Sequence, residues 1–307
     1  MTAVVREIRA EPVEMDLPPS ELGEGPVWLE DRGELAFVDI QRGLIELLAV
    51  ATGHVRTIAV GEMVGSFAPT RSGDLVAAVA TGFVQVDLST GRTRRLATLE
   101  RVDPTIRMND GKADPWGRFW AGTMGIDKRP GAGTLYCLEP DLQVRVVVAP
   151  VTISNGLDWT DDRRAMFYVD TPTQRVDRFD LEGDGLDLRN RHTFASLTPD
   201  QGAPDGLTLD ASGGLWLALW GGFEVACYGP SGAVEARIPV PAGHVTSCAF
   251  GGPDLADLYI TTAFAELSDA ERAAQPLAGR LFHCRPGPSG RLANRFDDSG
   301  LTAGSAG

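Results

Sequence analysis

The sequence predicts an all-β protein and, within that class, a six-bladed β-propeller. Three observations carry the prediction. A short apolar segment recurs six times at intervals of about 40 to 50 residues. Further short strands and tight turns follow each recurrence, and the 3.6-residue period of an amphipathic helix is nearly absent.

The recurring segments are GELAFVDI (33–40), GDLVAAVA (73–80), GRFWAGTM (117–124), RRAMFYVD (163–170), GGLWLALW (213–220) and ADLYITTA (256–263). A second, alternating strand comes next: LIELLAV, FVQVDLST, GTLYCLEP, RVDRFDLEG, FEVACYGP and GRLFHCRP. Turns such as ATG, STG, EGDG and PSG then lead to a third strand in HVRTIAV, RTRRLATL, VRVVVAP and VEARIPV. Gly, Asp, Asn and Ser suit such turns because tight hairpins need positive φ. One helix is expected over 267–275, capped by Ser268 with Asp269 and Glu271 in its first turn. No linker interrupts the series, so residues 1–307 are expected to form a single domain. Residues 4–15 are expected to add an outer strand to the last blade and close the ring, and 297–307 to form a disordered tail.

Composition narrows the function. The chain is 43% hydrophobic and 23% charged, an ordinary globular balance, with a formal net charge of -14. No basic stripe is available to neutralise phosphates, which argues against nucleic acid and anionic membrane as partners. No apolar run approaches the ~20 residues needed to span a bilayer, and the charged N-terminus lacks a secretory h-region. Cys137, Cys227, Cys248 and Cys284 are spread singly, without a CxxC. Free buried thiols in a reducing cytoplasm are the expectation.

About nine residues upstream of each apolar segment lies another short strand: EGPVWLE, GSFAPT, NDGKADP, NGLDWT, DGLTLD and SCAFGG. In a propeller the first strand of each blade lines the central channel. Four of these six strands open on a polar residue closely followed by glycine: Glu24-Gly25, Asn109-Asp110-Gly111, Asn155-Gly156 and Asp205-Gly206. Any one such dipeptide alone reads as a hairpin turn. Four at equivalent repeat positions instead predict side-chain oxygens gathered around one axis, with glycine keeping the approach open. Carboxylates and amides without His or Cys suit a hard cation such as Ca2+, Mg2+ or Mn2+. Arg107, two residues before Asn109, is expected on the same strand face, beside something anionic or polyhydroxylated. The competing reading is a surface ion pair with Asp103 or Asp110.

At these residues the chain resembles the SMP-30/gluconolactonase/LRE-like family, the group of regucalcin and sugar-acid lactonases. The resemblance runs through LGEGPVW (22–28), RMNDGKADPWGRFWAGTM (107–124), SNGLDW (154–159), PDGLTLDASGGLWLALWGG (204–222), HVTSCAFGGPDLADLYITTA (244–263) and PLAGRLF (276–282). It implies a six-bladed propeller with one divalent cation at the channel mouth, Ca2+ before Zn2+, Mn2+ or Mg2+. It implies Glu24, Asn155 and Asp205 as metal ligands, Arg107 and Asn109 as substrate contacts, and Asp205 as general base as well. The segments 63–67 and 127–133 vary in the family and are expected to line the pocket.

The implied chemistry is metal-dependent opening of a sugar lactone to its acid, as a gluconolactonase does in carbohydrate metabolism. A serine nucleophile is disfavoured by the absence of G-x-S-x-G and a zincin by the absence of HExxH. His54, His192, His244 and His283 fall outside the ring positions and are expected in loop or channel-wall roles. A calcium-binding or interaction propeller without turnover, and a related propeller esterase, remain the alternatives.

Overall fold

Two turns show how this sequence makes its hairpins. Asp114 accepts the backbone N–H groups of Trp116 and Arg118, each at 2.9 Å, and the indole Nε1 of Trp120 at 2.8 Å. Asp210 accepts Ser212, Gly214 and the Trp216 indole in the same way, at 2.8, 2.9 and 2.9 Å. The fourth residues, Gly117 and Gly213, sit at φ +87° and +85°, where an L side chain is strained. One carboxylate thus satisfies the turn's donors and pins the tryptophan of the following strand into the core.

A computed structural model describes residues 5–100 and 102–302. Its strands form four separate four-stranded antiparallel sheets and one nine-stranded sheet. Within the nine-stranded sheet, the strands from Ala203–Leu209 to Val234–Pro239 and those from His244–Gly251 onward make two groups. A single residue pair, Trp220 with His244, joins them. The outermost, fourth strand of the fourth sheet, which the sequence pattern did not show, is Asp187–Ser196, whose mostly exposed residues hide it from hydrophobic periodicity.

The first strands of the successive groups are Gly23–Leu29, Val64–Pro69, Ile106–Ala113, Ser154–Trp159, Ala203–Leu209 and His244–Gly251. Each packs beside the next, and His244–Gly251 returns to Gly23–Leu29. The buried apolar residues follow the same cycle. They fall into six clusters, each wedged between two neighbouring groups of strands. The last joins Trp28, Leu35 and Phe37 to Tyr259 and Leu281, so the end of the chain packs on its beginning. Edge-to-face aromatic pairs such as Trp120–Trp159, with centroids 5.5 Å apart, cross these wedges.

Both chain ends depart from expectation in part. Glu11–Pro12 pairs with Phe282–Cys284, the expected closure, but Arg6–Glu7 pairs in parallel with Val234–Pro239 of the preceding group. The N-terminal segment therefore staples two groups rather than one; its residue 4 lies outside the described residues. The expected disordered tail is corrected for 297–302. Asp297 pairs with Arg71 at 2.5 Å, and buried Asp298 accepts the Ser72 N–H and hydroxyl at 3.1 and 2.5 Å. Ser299–Thr302 forms one helical turn, and residues 303–307 lie outside the described residues. The small polar composition hid two carboxylates with partners more than two hundred residues away. The predicted helix is present as Asp269–Ala274, with Ser268 and Glu271 forming a reciprocal cap.

Candidate functional site

Each of the six inner strands carries a register irregularity near the same mouth of the channel. It follows Glu24 in the first strand and falls on Gly65, Asn109–Asp110, Asn155–Gly156, Asp205–Gly206 and Thr246 in the others. The polar-glycine pairs are therefore bulges inside strands, not hairpin turns. A bulge breaks the pleat and re-aims a side chain, which turns repeated short motifs into a ring. Glycine is required where neighbouring strands close in. A Cβ on Gly156 would lie 2.6 Å from the carbonyl oxygen of Asp205, and one on Gly206 would lie 2.3 Å from Ser247 Oγ.

Glu24, Asn109, Asn155 and Asp205 are all buried, between 4% and 5% exposed, although each is polar. Glu24 Oε2 accepts the N–H of Gly25 at 3.0 Å. Asn109 Nδ2 donates to Ser154 O at 2.8 Å, and its Oδ1 accepts Arg107 Nη1 at 2.6 Å. The guanidinium also donates to Met108 O at 2.9 Å. Arg107 and Asn109 thus share a face, and the carboxylates whose charge acts on Arg107 are Glu24, Asp205 and Glu266 rather than Asp103. Asn155 Nδ2 donates to Thr171 Oγ1 at 2.9 Å.

Burial sets the electrostatics. It pushes the Glu24 carboxyl up to about 8, with Asp110 adding repulsion and Gly25 and Arg107 partly offsetting it. Asp205 is held well above the usual carboxylate range, first by burial and then by the charges of Glu24 and Asp110. Burial pushes Asp110 to about 6, against the pull of Lys112 and the Gly111 N–H. Three crowded carboxyls that resist ionisation constitute a site short of positive charge, and a divalent cation would supply it.

Oδ1 of Asn155 and Oδ1 of Asp205 are buried and lack a protein partner among the described residues. Two orphaned oxygens beside the Glu24 carboxylate suit the all-oxygen preference of a hard cation. No group of three His, Cys, Asp or Glu side chains among the described residues has metal-binding geometry, and the candidate set includes an amide.

The expected loop or channel-wall roles of the histidines are corrected for three of them: His54, His192 and His283 lie on strands away from the inner ones, because each strand pairs further out in its sheet. His244 opens the sixth inner strand. It stacks on Trp220 with centroids 3.9 Å apart and bonds Ala265 O through Nδ1 at 3.0 Å, and burial lowers its pKa. The loop after Gly125 meets the loop after Ala263, where Lys128 Nζ pairs with Glu266 Oε2 at 2.5 Å. Sequence reasoning missed that pair, since nothing local links two residues 138 positions apart. It also missed Thr171, and gave Asp110 no role of its own. Asp110 lines a cavity together with Lys112, Asp158 and Ser247. Lys112 Nζ bridges Asp158 Oδ2 at 3.1 Å and Leu207 O at 3.0 Å there. The four cysteines are buried and free, as expected, and burial pushes their thiols up.

A cycle of antiparallel strand groups, whose inner strands bury Glu24, Asn109, Asn155 and Asp205 at their bulges, defines the class, an all-β protein of propeller type. The chain belongs to the SMP-30/gluconolactonase/LRE-like family, whose region it matches over residues 22–264. It is 37% identical over 262 residues to a Bacillus subtilis (strain 168) protein named "Putative sugar lactone lactonase YvrE", covering 85% of this chain and 90% of that protein. Regucalcin of Danio rerio is also 37% identical, over 86% of this chain and 90% of its own length. Among solved structures, regucalcin from Agrobacterium tumefaciens, a calcium-binding protein, superposes with a TM-score of 0.90. That match has 29% identity and covers 95% of this chain and 99% of the other.

Proposed function

We propose that this protein is a metal-dependent lactonase, built as a single six-bladed propeller, that opens sugar lactones to the corresponding sugar acids. The observation that carries the reading is the pair of orphaned buried oxygens on Asn155 and Asp205 beside Glu24, with the Arg107–Asn109 unit at the same mouth. The six wedge-like cores and the cycle of inner strands favour six blades, with the nine-stranded sheet counted as two. The named lactonase relative favours the substrate class.

Glu24, Asn155 and Asp205 would hold one divalent cation, with Ca2+ the first candidate on oxygen-only donors. The cation, when bound, supplies Lewis acidity toward the lactone carbonyl and acidity to a bound water. Asp205 serves as general base: it takes a proton from the attacking water as the new C–O bond forms. The ring C–O bond breaks, its oxygen takes up a proton, and the product is the hydroxy acid. Arg107 and Asn109 orient the substrate's hydroxyls, a contribution through positioning. A protein that only bound calcium would have no use for a half-buried guanidinium locked to an amide at that mouth, which favours turnover over storage. Four free buried thiols favour a cytoplasmic setting, and no helix among the described residues is long and apolar enough to cross a membrane.

The test is acid release from a panel of γ- and δ-aldonolactones in a pH-indicator assay. The chelated protein is supplied with Ca2+, Mg2+, Mn2+ or Zn2+ in turn. The expected result is turnover of at least one lactone, abolished by EDTA and restored by a divalent ion. No acid release with any pair of lactone and ion overturns the proposal.

A further inference from the structure

Thr171 opens the short 3-10 turn Thr171–Thr173 after the strand Ala165–Asp170. Its backbone N–H donates to Ile153 O at 3.1 Å, which ties it to the chain just ahead of Asn155. Its hydroxyl donates to Pro204 O at 2.9 Å, the carbonyl immediately before Asp205. A hydroxyl carries one proton. With that proton given to Pro204, Thr171 Oγ1 can act only as an acceptor toward Asn155 Nδ2, 2.9 Å away. The amide must therefore turn its NH2 to Thr171, with the Asp205 carboxylate a second acceptor beside it, and leave Oδ1 buried without a protein partner. A flipped amide would set oxygen against an oxygen with no proton to offer, and would aim NH2 at the place a cation needs an acceptor.

We infer that Thr171 is a positioning residue that fixes the orientation of the Asn155 amide and links it to the backbone at Asp205, so that the ring presents oxygen rather than N–H. The inference rests on the reading of Glu24, Asn155 and Asp205 as cation ligands. One hydroxyl thereby couples two ligands on neighbouring inner strands.

The experiment is calorimetric titration of the chelated full chain with Ca2+ and with Mn2+, alongside thermal melting of each apo variant. Thr171→Val should weaken binding about 10- to 100-fold, the usual effect of removing an outer partner of a ligand, and Thr171→Ser should stay within about threefold. Thr171→Ala gives the same comparison if the valine variant folds poorly. A carboxylate presents oxygen whichever way it turns. In an Asn155→Asp background, Thr171→Val should therefore change affinity by less than about threefold. Unchanged affinity in Thr171→Val, or an equal loss in both backgrounds, overturns the orienting role while leaving the cation site standing. A parent protein that binds neither ion overturns both.

Discussion

The guanidinium Nη1 of Arg107 donates to Oδ1 of Asn109 at 2.6 Å, and the same amide's Nδ2 donates to Ser154 O at 2.8 Å. Arginine, amide and the neighbouring strand are thus one unit, and it ends one residue before Asn155. A substrate hydroxyl at this mouth would meet a preformed donor array whose reorganisation cost is already met by the fold.

Arg107→Ala should lower kcat/KM by about 10- to 100-fold, the loss of one or two polar contacts, and leave metal affinity within a few-fold. Because the two side chains bond each other, Asn109→Ala should cost a similar factor, and the double variant should cost less than the product of the two. Steady-state kinetics on the best lactone, with calorimetry for the metal, checks both. Wild-type kinetics in Arg107→Ala would leave the arginine a structural partner of Asn109.

Glu24→Gln and Asp205→Asn should move metal affinity and apo stability in opposite directions. Each removes a charge that the cation needs, so affinity should fall at least about tenfold. Each also removes a buried repulsion, since both carboxyls are pushed up by burial and by neighbouring negative charge. With chelator at alkaline pH, where the parent must ionise these groups, both variants should melt at or above the parent temperature. Parallel loss of binding and of apo stability would mean that the two residues merely support the strands.

The apo protein should lose stability as pH rises. Glu24 goes from an ordinary value of 4.5 to about 8 on folding, and Asp110 from 3.8 to about 6. Between the lower and upper values the folded chain holds more protons than the unfolded one, so the slope of stability with pH is negative. The contribution is fully present below about pH 4, fades through the Asp110 range, and is gone above about pH 8. Metal binding needs the ionised forms, so affinity should rise over the same window, with proton release visible as buffer-dependent heats. Melting curves with chelator, and titrations from pH 6 upward, test the two trends.

The ring positions were legible because polar-glycine pairs recurred at one place in each repeat. Their setting was not: a bulge and a hairpin turn use the same residues, and only strand pairing distinguishes them. The two inner strands without such a pair show why the pattern covered four of six. At the equivalent position in the second strand, Gly65 leaves no room, since a Cβ would sit 2.5 Å from Asn109 O. In the sixth, Thr246 spends its hydroxyl on Gly23 O at 2.6 Å, joining the last inner strand to the first. Thr171 and the Lys128–Glu266 pair belong to loops outside the repeat, so no period pointed to them.

Residues 290–298 form a strap over the opposite mouth, and removing its anchor should weaken the whole ring. Arg291 pairs with Asp161 at 2.5 Å, Asn294 Nδ2 donates to Ala113 O at 3.1 Å, and Arg295 pairs with Asp31 at 2.5 Å. Phe296 is fully buried among Ala68, Phe83 and Phe119. Phe296→Ala should cost about 3–5 kcal/mol, the usual cost of emptying a buried aromatic site. Urea unfolding measures it. A loss below about 1 kcal/mol would make the strap a passive cover.

Asp205 carries the heaviest expectation, because one carboxylate is assigned both to the cation and to the water. A bound cation favours its ionised form and so reverses the upward push of burial and of Glu24. The same charge reduces its basicity. The two roles are compatible only if one oxygen holds the ion while the other faces the water. Asp205 Oδ1, buried without a protein partner, is free for one of them. Asp205→Ala should therefore lose at least about 100-fold in kcat even when excess metal restores occupancy, since a positioned base contributes about 10²–10⁴-fold. Asn155→Ala, which removes a ligand but no base, should recover most of its turnover at saturating metal. In the wild type, kcat/KM should fall on the acid limb as this carboxylate takes up a proton. Metal rescue of Asp205→Ala to the level of Asn155→Ala would reassign the base to another group and leave Asp205 a ligand alone.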